Sequence, residues 1–410
     1  MNIETRLKII SFLQFFIWGT WLISFSAYMI KTLGFTSIEV GFVYGNIGIA
    51  CLFMPSLVGI IADKWVPANY LYFTCHFIGA ISLALAGFVT SPTLMILIML
   101  IHCCAFMPSI SLSYSIIFYF LAKNQKDPVS YFPKMRVYGT IGLISAMCTI
   151  SLLKLELSNI QLFIGAAVSL LLMLFITTLP SISIAQKTEK NSMLSILGLN
   201  ALSLFKQYNM CVFFLFTLFL GAILQINNAF ISPFLHDFSD LTQYRATIVV
   251  AYPGVLLSLS QVAEIFFIIC IPLFLRRYGM KGVLLISLLA WTLRFGFLAY
   301  ADPSPFGLIL FILSMLAYGC AFDFFNVSGS IFIEKSVTAD IRNSAQGLFM
   351  IVKGFGAYLG AVLGGVIVNI FTVNNTRDWS TIWIIFSSYA FVLFILFLFS
   401  FKPNHKKKAA

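Results

Sequence analysis

The run Pro305-Phe-Gly-Leu-Ile-Leu-Phe-Ile-Leu-Ser-Met-Leu-Ala-Tyr318-Gly-Cys-Ala-Phe322-Asp323-Phe-Phe-Asn326-Val-Ser-Gly-Ser-Ile-Phe-Ile333 decides the fold class. It is apolar almost end to end, carries one charged side chain, and exceeds the about 20 residues that a helix needs to cross a bilayer. Outward from it, similar runs recur between charges and Pro/Gly breaks. They lie near 8–30, 38–61, 68–90, 93–121, 133–154, 160–180, 209–235, 255–276, 281–300, 305–333, 343–371 and 380–401, which predicts an all-α membrane protein of twelve transmembrane helices. Composition agrees. Of 410 residues, 60% are hydrophobic and 10% charged, with a mean hydropathy of +0.98. Soluble chains carry about 45–50% apolar and roughly 25% charged residues, so a soluble enzyme, a disordered chain and a nucleic-acid-binding domain are excluded.

The longest polar segment, 181–207, contains Lys187, Glu189, Lys190 and Lys206 and divides the spans into six and six. The expected organisation is an N-terminal bundle (1–180), a cytoplasmic linker (181–207) and a C-terminal bundle with a short basic tail (208–410). Lys and Arg are distributed unevenly. With the N-terminus in the cytoplasm, nineteen of the 25 fall on inner segments, including Arg276, Arg277, Lys281 and Lys406–Lys408. Lys31, Lys154, Arg245 and Arg377 fall on outer loops, while Arg294 and Lys353 lie inside helices. The positive-inside rule then puts both termini in the cytoplasm. The net charge of +11 follows from this bias and from anionic lipid, not from a nucleic-acid partner. The first apolar stretch is long enough to span and lacks a small-residue cleavage site, so it reads as a span.

The eight cysteines lie in apolar stretches or at their edges, with no CxxC pair or Cys/His metal spacing, so neither metal nor disulfide framework is expected. No HExxH, GxSxG or clustered metal ligands occur, which argues against an enzyme.

Two inner loops look related. Gly59-Ile-Ile-Ala-Asp63-Lys64 joins the second and third spans, and Arg276-Arg277-Tyr-Gly279-Met-Lys281 joins the eighth and ninth. The pair resembles the signature loop of the major facilitator superfamily, although Trp65-Val-Pro67 replaces its usual glycine and basic run. The resemblance implies two six-helix halves. Asp63 is expected to pair with a basic helix start such as Arg342, latching the inner side.

Ionisable residues inside a bilayer are costly and default to functional candidates. Four lie deep in spans: Glu264, Arg294, Asp323 and Lys353. Mutual neutralisation is the plainer reading, and it suits the two bases better than the two acids. Polar stripes accompany the acids at helical spacing: Gln225 and Asn228 with Asn227 beside them, Gln261 and Glu264, Arg136 and Thr140, and Tyr318 with Phe322, Asp323 and Asn326. Such stripes can simply glue helices. Amides, carboxylates and aromatics together suit a ligand with a flat polar ring and several hydroxyls. Gln14, Trp18 and Trp21 share a face of the first span, for which packing is at least as good a reading as a cavity wall. His76 and His102 are expected to pack, and His236 lies near the outer surface.

Longer strings carry a closer resemblance. Leu7-Lys8-Ile-Ile-Ser-Phe-Leu-Gln14-Phe-Phe-Ile-Trp18-Gly19-Thr-Trp21, Phe53-Met-Pro55 through Ala62-Asp63-Lys64-Trp65, Phe132-Pro133 through Arg136-Val-Tyr-Gly139-Thr140-Ile-Gly142, and Tyr318 through Asn326 resemble bacterial nucleoside permeases of the nucleoside:proton symporter family. Arg136-x-x-Gly139-x-x-Gly142 also resembles the fifth span of lactose:proton symporters, where an arginine contacts sugar. The family resemblance implies proton-driven import of purine and pyrimidine nucleosides, such as uridine and adenosine, across the bacterial inner membrane by alternating access. It implies substrate contacts at Arg136, Thr140, Gln225, Asn228, Gln261, Glu264, Tyr318 and Phe322, with an important acid at Asp323. No cofactor is expected; the partners are nucleosides, protons and membrane lipid, and the chain is expected to be a monomer. Leu143 stands where an aromatic is expected, which puts one base-stacking contact in doubt. Amides offer donor and acceptor together, aromatic rings offer stacking faces, and Gln261 and Glu264 suit vicinal ribose hydroxyls. Asp323 is expected to be the main coupling acid, paired with Arg294, and Glu264 chiefly a ligand contact. From the residues alone, a sugar:proton symporter of the same superfamily stays open.

Overall fold

The computed structural model describes residues 2–180, 182, 199–338 and 341–402. Lys187, Glu189, Lys190 and the Lys406–Lys408 tail, with most of the expected linker, lie outside the described residues.

The expected spans are present as helices. They are Ile3–Gly19 continued by Phe25–Lys31, then Ser37–Lys64, Ala68–Ala86, Pro92–Lys123, Pro128–Leu152, Ile160–Ile176, Tyr208–Asp237, Pro253–Tyr300, Pro305–Ser336, Arg342–Ile370 and Trp379–Ser400. Nine of these, among the described residues, are long and apolar enough to cross a membrane. The first span is interrupted at 20–24, and the sixth, Ile160–Ile176, is shorter. Pro253–Tyr300 is two spans in one: Gly279, at φ +67°, breaks it in the basic loop. Glycine adopts that left-handed conformation without a Cβ penalty. One interrupted span, one short helix and one merged pair account for the difference between nine and twelve.

Three contacts bring the chain ends to one face. Arg6 donates to the Thr178 carbonyl at the end of the sixth span. The Lys402 N–H donates to Asn209 Oδ1 at 3.4 Å, and Lys281 Nζ donates to the Leu398 carbonyl at 2.7 Å. Towards the opposite, far face, the second and eleventh spans touch through small residues. A Cβ on Gly45 would lie 2.9 Å from the Tyr358 ring, and one on Gly48 would lie 2.6 Å from the Tyr358 nitrogen. Lower on the same two helices, Gly59 and Gly347 have nothing within 4 Å. Lipid offers helices little hydrophobic reason to associate, so close approach at small residues is what binds them. The helices therefore meet at the far face and splay towards the face that carries the termini.

Charged contacts reinforce the closed far end. Glu156 Oε2 meets His236 Nε2 at 3.0 Å, and Glu156 Oε1 accepts the Gly254 N–H at 2.8 Å. Lys31 reaches Asp237 and Asp240, each at 2.7 Å, and Arg377 reaches Asp237 at 3.1 Å. Glu156 and Lys31 come from the first six spans and their partners from the last six. A small cleft there is lined by Glu156, Ser24, Ser232 and Gly254.

Burial pushes the Glu156 carboxyl up, but the hydrogen bond and charge of His236, with bonds from Ser151 and the Gly254 N–H, outweigh it and hold the group below its usual 4.5. A carboxylate held low in the folded state contributes stability above its unfolded value and loses it as pH falls through the folded one. Glu156→Gln should therefore lower the melting temperature of the detergent-purified protein at neutral pH. The gap to wild type should close as the pH drops below about 4.5. A gap of constant size across that range would contradict a charged clasp.

Candidate functional site

The site begins with a backbone contact. A Cβ on Gly319 would meet the backbone of Ala263 and lie 2.6 Å from the Glu264 nitrogen. Only glycine lets the tenth span sit this close to the eighth, and the contact sets Glu264 beside Tyr318, Phe322 and Asp323. Tyr318 and Phe322, one turn apart, stack with ring centroids 5.7 Å apart and planes at 4°. Trp291 meets Tyr318 edge-on at 5.8 Å. Gln261 lies one turn before Glu264, against the Tyr318 hydroxyl.

The fifth span presents the basic member. Gly139 packs on the Phe15 ring and Gly142 on the Phe12 backbone, while Arg136 is exposed and Thr140, one turn on, is half-buried. The Arg136 charge acts on both Glu264 and Asp323, and the two acids act on each other and on Tyr318. Arg136, Glu264, Tyr318 and Asp323 thus share one electrostatic neighbourhood, drawn from both sets of six spans. On the seventh span, Gln225 and Asn228 are buried. Gln225 Nε2 donates to the Tyr44 carbonyl of the second span at 2.9 Å, and Asn228 Oδ1 accepts from Asn227 Nδ2 at 3.3 Å. A small adjoining cleft within the last six spans is lined by Trp291, Phe322, Asn326 and Lys353.

Two expectations require correction. Arg294 does not pair with Asp323: its Nε donates to Asn227 Oδ1 and its Nη1 to the Ser314 carbonyl, both at 2.8 Å, and its guanidinium lies 4.6 Å over the Tyr318 ring. Ser314 precedes Asp323 by nine residues, about 13 Å along a helix, so a side chain anchored there cannot also serve the acid. Lys353 is not a counter-ion either; its Nζ donates to Asn326 Oδ1 at 3.1 Å. Arg342 pairs with Glu334 at 2.8 Å; the side chain of Asp63, its expected partner, lies outside the described residues. Asp323 Oδ2 is buried and, among the described residues, has no hydrogen-bond partner. Such an oxygen can take up a proton without giving up a bond.

Gln14 belongs to the interior of the first six spans. Its amide donates to Ser109 at 2.9 Å and accepts from Tyr72 at 2.6 Å, with His76 Nε2 at 2.9 Å. Trp21 packs on His102 at 5.3 Å. The structure adds Asn227, Trp291 and Tyr44 to the neighbourhood. Asn227 and Asn228 are adjacent and so face different ways on a helix, which is why a search for stripes keeps one and passes over the other. Tyr44 contributes its backbone, to which no side-chain pattern points.

A family model described as nucleoside H+ symporter matches residues 1–406. The chain belongs to the nucleoside H+ symporter family. Among relatives of this symporter, the xanthosine permease of Escherichia coli K12 is 52% identical over 406 residues, covering 99% of this chain and 97% of that one. Nucleoside permease NupG of the same organism is 48% identical over the same shares. A crystal structure of nucleoside transporter NupG superimposes with a TM-score of 0.93, covering 98% of this chain and all of that one. A bacterial homologue of the lysosomal transporter Spinster, 15% identical, matches at a TM-score of 0.70, which speaks for the fold alone. The symporter is a transporter, not an enzyme, and it has the major facilitator fold of two six-helix halves.

In this symporter the Gly319 contact positions the acid and the rings together. Gly319→Ala should force the tenth span off the eighth, at about 1–3 kcal/mol for overpacking. Ligand affinity should fall with it, while Gly59→Ala, in open space, should leave both unchanged. Calorimetric binding and thermal unfolding of the two variants measure this; a neutral Gly319→Ala would remove the contact from the site's construction.

Proposed function

We propose that this symporter imports both purine and pyrimidine nucleosides into the cytoplasm through the neighbourhood centred on Arg136, Glu264, Tyr318 and Asp323. The observation that carries the reading is the shared electrostatic neighbourhood of those four groups, drawn from both sets of six spans, with Gln261 against the Tyr318 hydroxyl and Phe322 stacked on the Tyr318 ring. In this reading Tyr318 and Phe322 stack on the base, Gln225 and Asn228 hydrogen-bond its edge, and Gln261 and Glu264 meet the ribose hydroxyls. Arg136 and Thr140 close the site from the other half. Asp323 carries the coupled proton, supported by its unpartnered buried oxygen, and Glu264 is chiefly a ligand contact.

The Lys and Arg distribution supports cytoplasmic termini. With that orientation the splayed face is the inner one, the Glu156 clasp is on the outside, and the conformation is open inward. The moving units are 1–180 and 208–410, joined by 181–207, in an inner bacterial membrane whose lipid surrounds a monomer.

Proteoliposomes with an imposed inward proton gradient test the reading. Labelled uridine should accumulate, and adenosine and xanthosine should compete where free sugars do not. Competition by sugars alone would favour the sugar-symporter reading. Asp323→Asn should bind and exchange uridine without concentrating it, and normal accumulation would move the proton to Glu264. Gln225→Ala and Asn228→Ala should each weaken uridine binding roughly 5- to 100-fold, from about 1–3 kcal/mol per lost buried hydrogen bond. Unchanged affinity in both would remove the amides from the base.

A further inference from the structure

Arg294 is fully buried and, among the described residues, meets no carboxylate within ion-pair distance. Its Nε donates to Asn227 Oδ1 at 2.8 Å. A guanidinium has donors only, so the Asn227 amide must turn its oxygen towards Arg294 and its NH2 away. That NH2 meets Asn228 Oδ1 at 3.3 Å. Reversing Asn228 would set two N–H donors face to face. The chain of polarity therefore runs one way, from Arg294 through Asn227 to Asn228, and it leaves Asn228 with its own NH2 free. Among the described residues, no protein group accepts from that nitrogen.

We propose that Arg294 and Asn227 are positioning residues which lock the Asn228 amide so that it offers N–H donors, never its oxygen, to the bound base. An unlocked asparagine turns end for end and suits either a donor or an acceptor on the ligand. A locked one selects a lone pair. Gln225, one turn away, is fixed in the complementary sense: its Nε2 is spent on the Tyr44 carbonyl, which leaves its oxygen to accept. The site thus presents one donor and one acceptor in a set order, and base-edge reading depends on residues that do not touch the base. The inference rests on Asn228 being a base contact.

The probes are adenosine, whose base edge has lone pairs and an amino group, and purine riboside, which has the same rings with lone pairs only. Asn227→Asp keeps an acceptor for Arg294 but has no N–H for Asn228, which must turn its NH2 to the new carboxylate and present its oxygen. Equilibrium binding to the detergent-purified full chain should show purine riboside losing at least about tenfold more affinity than adenosine, since buried polar groups left unpaired discriminate strongly. Equal loss of both ligands, or loss of neither, overturns the lock. Asn228→Asp separates the two ways of failing. If it discriminates against purine riboside and Asn227→Asp does not, the base contact stands and the lock falls; if neither discriminates, the base contact falls as well. Asn227→Ala frees Asn228 without reversing it, so adenosine affinity should stay within about threefold of wild type. A loss beyond tenfold would make Asn227 itself a ligand contact and overturn its role as a positioning residue.

Discussion

The tenth span carries no side chain at Gly319, and its backbone there rests on the backbone of Ala263 and Glu264 in the eighth. This contact determines which groups face one another. Glu264 has a fixed distance from Tyr318 and Asp323 because the two helices cannot separate without losing their packing, and lipid supplies no hydrophobic effect to push them back. The same device closes the far end, where Gly41, Gly45 and Gly48 of the second span lie on Ala361, Tyr358 and Gly354 of the eleventh. It is missing at Gly59 and Gly347, where the helices part. Small residues thus decide both where the bundle is tight and where it opens.

Charge is managed differently from packing. A bilayer interior leaves a buried cation two options, an acid or a set of neutral acceptors. Arg294 and Lys353 take the second: Arg294 has an amide oxygen, a carbonyl and the face of Tyr318, and Lys353 an amide oxygen. Keeping the bases off the acids leaves Glu264 and Asp323 to the charge of Arg136, an exposed cation. Acids tied to Arg294 in a closed pair would have little reason to exchange a proton with the cleft. The separation keeps them available.

Much of this was legible in the sequence, for a physical reason. Apolar runs and basic turns are imposed by the bilayer on each span separately, so a linear reading recovers the helices and the polar stripes at Gln225, Gln261 and Tyr318. It fails where the answer depends on which helices touch. The opposite charges of Arg294 and Asp323 invite pairing, but the axial offset between Ser314 and Asp323 forbids it. Gly279 reads as loop punctuation, whereas Gly319 looks like any small residue in a span until Ala263 is seen against it. The Tyr44 carbonyl that holds Gln225 has no side-chain signature, and the partnership of Glu156 with His236 joins a loop to a helix end 80 residues later.

The contacts between the halves are also graded in strength. The far-face ion pairs lie at the membrane edge, where water and salt reach some of them: Asp240 is mostly exposed, and such pairs contribute little each. A clasp of that kind favours one state by a small margin, which suits a protein that must leave that state in every cycle. A ligand shifts such an equilibrium only by binding the two states differently. Here the proposed contacts come from both halves, from Arg136 and Thr140 on the fifth span and from Asn228, Glu264 and Tyr318 on the seventh, eighth and tenth. A nucleoside between them gains most when the halves close on it. The bond from Gln225 to Tyr44 already joins the halves at this depth, so closure can turn about the site without dismantling it. The contact that holds Gln225 is then also a pivot between the halves.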